Sequence, residues 1–380
     1  MEAVRSGFEK SRFKRLVLLA VLVAYVFLAA VLFAQTDVVY TLTVPRTPVA
    51  GPPPVQESFI ATLTPSPAAV VISLAGATGN IQLTPLAPDG TLDVTTFNGR
   101  NRWLYAGHGL YTITLDAPTD FKLLPNVLQG YEGSSQHVTD ILTVIAWARS
   151  TLPGVPVWVV GTSRGTAGAF VAGQYSPGAG GPDGLVLASS INNTTDADSL
   201  LMASLADITV PVLLINNNGN TCPGTQASGE AAVKKALNMS PKVGTALLPS
   251  GGLTALTNNC GGLSDHAFFG VEDQLVRTIA LWIGSTTTTL TTSANPSTFG
   301  NSVTFTATVS YLARLGTPTG TVTFRDITKA KTLGSSPLVS GVATFATSTL
   351  SVGNHKITAT YGGDASSHDS ASTVLVQQID

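Results

Sequence analysis

The sequence predicts an α/β domain, a mostly parallel sheet with helices on both faces, followed by an all-β sandwich. Three observations predict it. Short β-branched runs alternate with helix-spaced segments between residues 57 and 284. Beyond residue 284 the pattern changes to two-residue alternation in strands rich in Thr, Ser and Val. The chain has 380 residues, enough for two or three domains of about 150 residues each.

Composition narrows the classes. With 44% hydrophobic residues, 37 glycines and 22 prolines, the chain can bury a core and is not a disordered polymer. Charged residues are 11% and the net charge is −2, so no basic surface points to nucleic acid. Cys222 and Cys260 are the two cysteines, which excludes a disulfide-dense scaffold, a four-cysteine zinc site and an iron–sulfur cluster.

Residues 1–35 read as an export segment. Arg5, Lys10, Arg12, Lys14 and Arg15 precede LVLLAVLVAYVFLAAVLFA, Leu16 to Ala34, which carries no charge. Basic residues ahead of an apolar run are held in the cytoplasm while the run enters the bilayer. At about 19 residues the run is long for a cleaved signal and just spans a membrane, so signal peptide and signal anchor both stand. Contact with a membrane is expected through this segment alone. Residues 36–56, including VPRTPVAGPPPVQ, read as a stiff proline-rich linker.

Residues 57–284 carry the strand–helix alternation. AAVVISLAG, LYTITLDA, PVWVVG, DGLVLASS and VPVLLIN suit strands buried on both faces. VTDILTVIAWARS, RGTAGAFVAGQY, GEAAVKKALNM and VEDQLVRTIALWI have helical spacing. In a parallel sheet of this kind chemistry gathers at the carboxyl ends of the strands. There stands Gly161-Thr162-Ser163-Arg164-Gly165, between a buried strand and a small-residue helix. This is the context in which G-x-S-x-G works as a nucleophile elbow, Ser163 being forced up on a sharp turn at a helix N-terminus. The serine needs a base later in the chain. Of His108, His137, His266, His355 and His368, only His266 follows Ser163 within the same domain.

These residues carry a family resemblance. SLAGATGNIQL, YEGSSQHVTDI, VWVVGTSRGT, PVLLINNNGNTC and CGGLSDHAFFGVE resemble the α/β-hydrolase superfamily, in particular exported bacterial serine hydrolases with a GTSRG elbow. The resemblance implies hydrolysis of a carboxylic ester or similar acyl bond without metal or organic cofactor. Ser163 would be the nucleophile and His266 the base and then the acid. The substrate would be a small-molecule or lipid-like ester. Oxyanion donors are expected from the Arg164 amide and from the loop after AAVVISL, with Ala77 the first choice and Gly76 the next. One departure matters: where the relatives carry an aspartate this sequence has Asn220. Asn220 as an orienting amide, Asp196 or Asp198 as a displaced acid, and a weakened enzyme all remain open. Asp265 adjoins the base too closely to face it, and Glu230 reads as part of a solvated helix face. Cys222 and Cys260 lie on the two loops that the resemblance brings together, and export favours a bridge between them. Closing a loop of about 39 residues corresponds to roughly 4 kcal/mol in the chain-entropy model.

Residues 285–380 contain SVTFTATVS, TGTVTFRD, VATFATSTL, HKITATYGG and STVLVQQI, short alternating strands at the spacing of an antiparallel sandwich. PTGTVTF and LSVGNHKITATYGGD resemble bacterial immunoglobulin-like repeat domains, which implies a spacer or a contact with a cell surface or polysaccharide. No cluster surrounds its two histidines in the sequence. The expected product is an exported serine esterase. Its rival is a non-catalytic surface-binding or adhesion protein built on a degenerate hydrolase.

Overall fold

The computed structural model describes residues 36–46, 54–76, 97–121, 131–196, 198–251, 258–311, 316–364 and 367–380. Eight strands form the first sheet: β1 (Asp37–Thr43), β2 (Gln56–Thr62), β3 (Ala69–Leu74), β4 (Leu110–Leu115), β5 (Val157–Thr162), β6 (Gly184–Ala188), β7 (Val212–Asn217) and β8 (Val243–Leu248). Their order is β1-β2-β4-β3-β5-β6-β7-β8. β2 runs antiparallel to β4, and from β4 to β8 every pairing is parallel.

The continuous apolar runs explain why helices cover both faces. Side chains alternate across a strand. Val70, Ile72 and Leu74 of β3 therefore share a core with Val159 and Leu187, under α2 (Ser135–Thr151) and α3 (Gly165–Gly173). Ala69 and Val71 share the opposite core with Trp158, Val160 and Ile215, under α1 (Phe97–Gly107) and α5 (Glu272–Gly284). Ser134 caps α2 by accepting from the His137 N–H. The short helix α4 (Glu230–Ala236) follows β7.

The stretch 36–56, expected as a linker, is corrected in part. DVVYTLT forms edge strand β1, with Val38, Tyr40 and Leu42 half-buried and alternating with exposed Val39, Thr41 and Thr43. Tyr40 stacks on Phe59 of β2, ring centroids 5.5 Å apart. Arg46 donates to Asp140 of α2 at 2.6 and 3.0 Å and to Asp120 at 2.7 Å. The surrounding prolines hid a period-2 pattern, and the most proline-rich part, 47–53, lies outside the described residues. So does the apolar run Leu16–Ala34; among the described residues no helix is long and apolar enough to cross a membrane.

After α5 the chain enters β9 (Thr286–Thr292), then β10 (Val303–Tyr311), β11 (Thr321–Asp326), β12 (Lys331–Pro337), β13 (Val342–Thr347), β14 (Gly353–Tyr361), β15 (Ser370–Ala371) and β16 (Leu375–Ile379). β13-β10-β9 make one antiparallel sheet; β12, β11, β14, β15 and β16 make the other. Phe305, Val309, Phe324, Ile357, Ala359 and Tyr361 fill the space between. The sequence showed no cluster around His355, and the structure corrects this. Buried His355 places Nδ1 2.5 Å from Asp326 Oδ2 and Nε2 2.7 Å from the Ser351 carbonyl.

Candidate active site

β5 ends at Thr162, α3 begins at Gly165, and the chain reverses between them through Ser163 at φ 55°. A non-glycine residue in the left-handed region costs on the order of 1 kcal/mol or more and persists where its surroundings over-determine it. They do so here. The Ser163 N–H donates to the Ala188 carbonyl at the end of β6, 2.9 Å. A Cβ at Gly165 would stand 2.5 Å from the Leu74 carbonyl oxygen, so only glycine lets α3 start this close to β3. A Cβ at Gly76 would meet Ser163 Cβ at 2.8 Å and its Oγ at 3.5 Å. The loop after β3 thus begins against the serine. Among the described residues the Arg164 N–H, at the N-terminus of α3, has no acceptor. Ala77 lies outside the described residues.

His266 sits in the 3-10 turn Asp265–Ala267 and is buried. Its backbone carbonyl accepts from Ser189 Oγ at 2.8 Å. Ser163 and His266 are therefore held by consecutive residues, Ala188 and Ser189, at the carboxyl end of β6. Their side chains share no hydrogen bond in this structure. Burial pushes the His266 imidazole down to about 4, so it is neutral at ordinary pH. Its Nδ1 lies 3.1 Å from Thr225 Oγ1.

That partner is none of the expected ones. Asn220 shares no hydrogen bond with His266. Its Nδ2 donates to Asn216 Oδ1 at 3.0 Å and the Thr225 carbonyl at 2.8 Å, and its Oδ1 accepts from the Cys222 N–H at 3.1 Å. Asp198 and Asp196 pair with the Arg164 guanidinium, the latter at 3.3 Å, which takes both away from the base. It also neutralises Arg164 as a handle for acidic substrates. Asp265 accepts from Ser250 Oγ and the Gly251 N–H, both at 2.8 Å. Glu230, read as solvated, is buried and accepts from Asn216 Nδ2 at 2.9 Å. Its helix is one turn short of showing a periodic apolar face, so the sequence offered no sign of this. Thr225 and Ser189 were likewise invisible, since a hydroxyl in a Gly-Pro-rich or Ser-rich loop has many commoner roles. Glu132 was also passed over. It is fully buried beside Ala75 and His137, neither carboxyl oxygen has a partner, and burial raises its pKa well above the carboxylate range.

Cys222 and Cys260 form a disulfide, Cα atoms 4.8 Å apart, joining the Asn220–Thr225 loop to the loop of His266. Asn259 Nδ2 adds a bond to the Thr221 carbonyl at 2.9 Å. No group of three His, Cys, Asp or Glu side chains among the described residues could hold a metal ion. A cleft of about 730 Å³ is lined by Pro67, Pro156 and Asp183 together with Tyr311, Thr319 and Asp364. It lies at the amino ends of β3, β5 and β6, the opposite end of the sheet from Ser163.

Residues 290–380 match the family model described as bacterial Ig-like domain (group 3). No curated protein matches the sequence. Among solved structures, a cold-adapted esterase from an Arctic intertidal metagenomic library is 13% identical with a TM-score of 0.42, covering 64% of this chain and 94% of that one. A thermostable carboxyl esterase from Bacillus coagulans is 14% identical with a TM-score of 0.40, covering 65% and 98%. A carboxylesterase from Lactobacillus plantarum is 13% identical with a TM-score of 0.41, covering 66% and 97%. The fold assignment rests on strand order, pairing sense and the elbow after β5. The chain joins a domain of the α/β-hydrolase fold to a C-terminal bacterial immunoglobulin-like sandwich.

Proposed function

We propose that the protein is a serine hydrolase of a carboxylic ester or similar acyl bond. The observation that carries this is the strained Ser163 held, like His266, by adjacent residues at the end of β6. In the reaction Ser163 Oγ attacks the carbonyl carbon while His266 Nε2 takes the hydroxyl proton. The oxyanion is met by the Arg164 N–H and by an amide of the loop that starts at Gly76, with Ala77 the candidate. Collapse expels the alcohol, which receives the proton from His266, and leaves an acyl-serine. Water, deprotonated by the same imidazole, then releases the acid. The base is suited to its first task because burial keeps it neutral.

Export is part of the proposal, supported by the basic-then-apolar N-terminus, and the sandwich is proposed to contact a surface or polysaccharide. A non-catalytic binding role is favoured by one observation: no described carboxylate bonds His266. Hydrolysis of p-nitrophenyl acetate and longer esters by the full chain separates the two readings. The hydrolase predicts turnover that falls to background in Ser163→Ala. Equal rates in the two proteins would favour the binding role.

A further inference from the structure

Behind His266 the buried polar groups form one network, and its polarity can be worked out group by group. Asn216 Nδ2 donates to Glu230 Oε1 and to the Thr225 carbonyl, both at 2.9 Å. Asn216 Oδ1 accepts from Asn220 Nδ2 at 3.0 Å and from the Asn217 N–H at 2.9 Å. Asn220 Nδ2 donates its second proton to the Thr225 carbonyl at 2.8 Å and also lies 3.3 Å from Thr225 Oγ1. The Thr225 hydroxyl faces two acceptors on that side, the Cys222 carbonyl at 3.1 Å and Asn220 Oδ1 at 3.4 Å. Its proton belongs there, leaving its lone pair to accept from His266 Nδ1–H. His266 is thereby held in the tautomer whose Nε2 is bare, the one a base needs. Hydrogen bonds thus run without a break from His266 through Thr225, Asn220 and Asn216 to Glu230.

We propose that Glu230 is the remote carboxylate of this site, a positioning residue that acts on His266 through Asn216, Asn220 and Thr225. This rests on the serine-hydrolase reading. A negative Glu230 orders the amide and hydroxyl dipoles so that they stabilise the imidazolium formed during attack. Protonated, it removes that bias without removing the base. Burial raises the Glu230 carboxyl to about 7, with the Asn216 bond opposing, and its Oε2 has no partner. Among the described residues no other charge competes nearby. The turns Leu200–Met202 and Leu205–Asp207 packed on α4 bring Asp207, which is exposed, and Lys234 and Lys235 on α4 are exposed. Around His266, Asp265 is committed to Ser250 and Gly251. Arg100, which donates to the Ala267 carbonyl at 2.7 Å, pairs with Glu272 at 2.9 Å.

The test is the pH dependence of p-nitrophenyl acetate hydrolysis by the full chain, with fluorophosphonate labelling of Ser163 measured alongside. For the wild type kcat should fall about tenfold as pH drops through about 7, then vanish near 4 as His266 protonates. Glu230→Gln should lose the upper step, sit at the lower plateau and keep its KM. Thr225→Val should also lose the step, and Thr225→Ser, which keeps the hydroxyl, should restore it. In ¹⁵N-histidine NMR the His266 Nδ1–H signal should move with the Glu230 titration in the wild type and stay flat in Glu230→Gln. Labelled Ser163 with superimposable profiles in the wild type and Glu230→Gln, or an Nδ1–H signal indifferent to Glu230, would overturn the coupling and leave the hydrolase standing. An unlabelled serine with a responsive Nδ1–H would overturn the hydrolase and leave the coupling.

Discussion

Two buried histidines, His266 in the α/β domain and His355 in the sandwich, differ in what they leave free. His355 in the sandwich has the carboxylate, Asp326 at 2.5 Å, that a catalytic histidine is expected to have. Its other nitrogen is spent on the Ser351 carbonyl at 2.7 Å, so neither ring nitrogen is left without a partner. His266 has a hydroxyl in place of a carboxylate and one nitrogen without a hydrogen-bond partner, at the end of the sheet where Ser163 stands. A base is recognised by its unspent nitrogen and its place on the fold, more than by the acid beside it.

The comparison can be broken by exchanging consequences. His266→Ala should lower ester kcat by about a thousandfold or more with little change in melting. His355→Ala should leave the rate alone and strand Asp326 in the sandwich core, costing about 3–5 kcal/mol in the calorimetric transition of that unit. If His355→Ala abolished activity, the distinction drawn above would be wrong.

Next in size is the bridge. Reducing Cys222–Cys260 should destabilise the hydrolase domain by about 2–4 kcal/mol and lower the rate, because it joins the loop of Thr225 to the loop of His266. Calorimetry and ester assays in dithiothreitol check both.

Asn220→Asp would install the aspartate that the family resemblance leads one to expect. It should nonetheless destabilise by about 1–3 kcal/mol, since a carboxylate oxygen would then face Asn216 Oδ1 and the Thr225 carbonyl, two acceptors. A urea midpoint that rises, with a faster rate, would show that the network rearranges around a negative charge. Smallest of all, Ser351→Ala should change sandwich stability by less than about 0.5 kcal/mol. His355 uses the Ser351 backbone at 2.7 Å, whereas its hydroxyl stands off at 3.5 Å.

The two halves of the site were unequally legible. The elbow was readable because its needs are local: a buried strand, a serine on a tight turn, and glycines where backbones meet, all between Val157 and Gly165. His266 was singled out as the candidate base by chain order. The partner of His266 was unreadable because it depends on where the Asn216–Glu230 segment folds, and a threonine hydroxyl can serve any loop. Strand β1 was hidden by prolines next to it. Glu230 was misjudged since a seven-residue helix has too few turns to mark a buried face. The Asp326–His355 pair joins residues 29 apart on neighbouring antiparallel strands, a register only the folded sandwich sets.

The central claim is that Ser163 is a nucleophile activated by His266. Intact-mass measurement after exposure to a fluorophosphonate tests it most directly. The account predicts one adduct per chain, absent in Ser163→Ala and formed at least about a hundredfold more slowly in His266→Ala. Folded wild-type protein that keeps its unmodified mass, under conditions that label a control esterase completely, would contradict it.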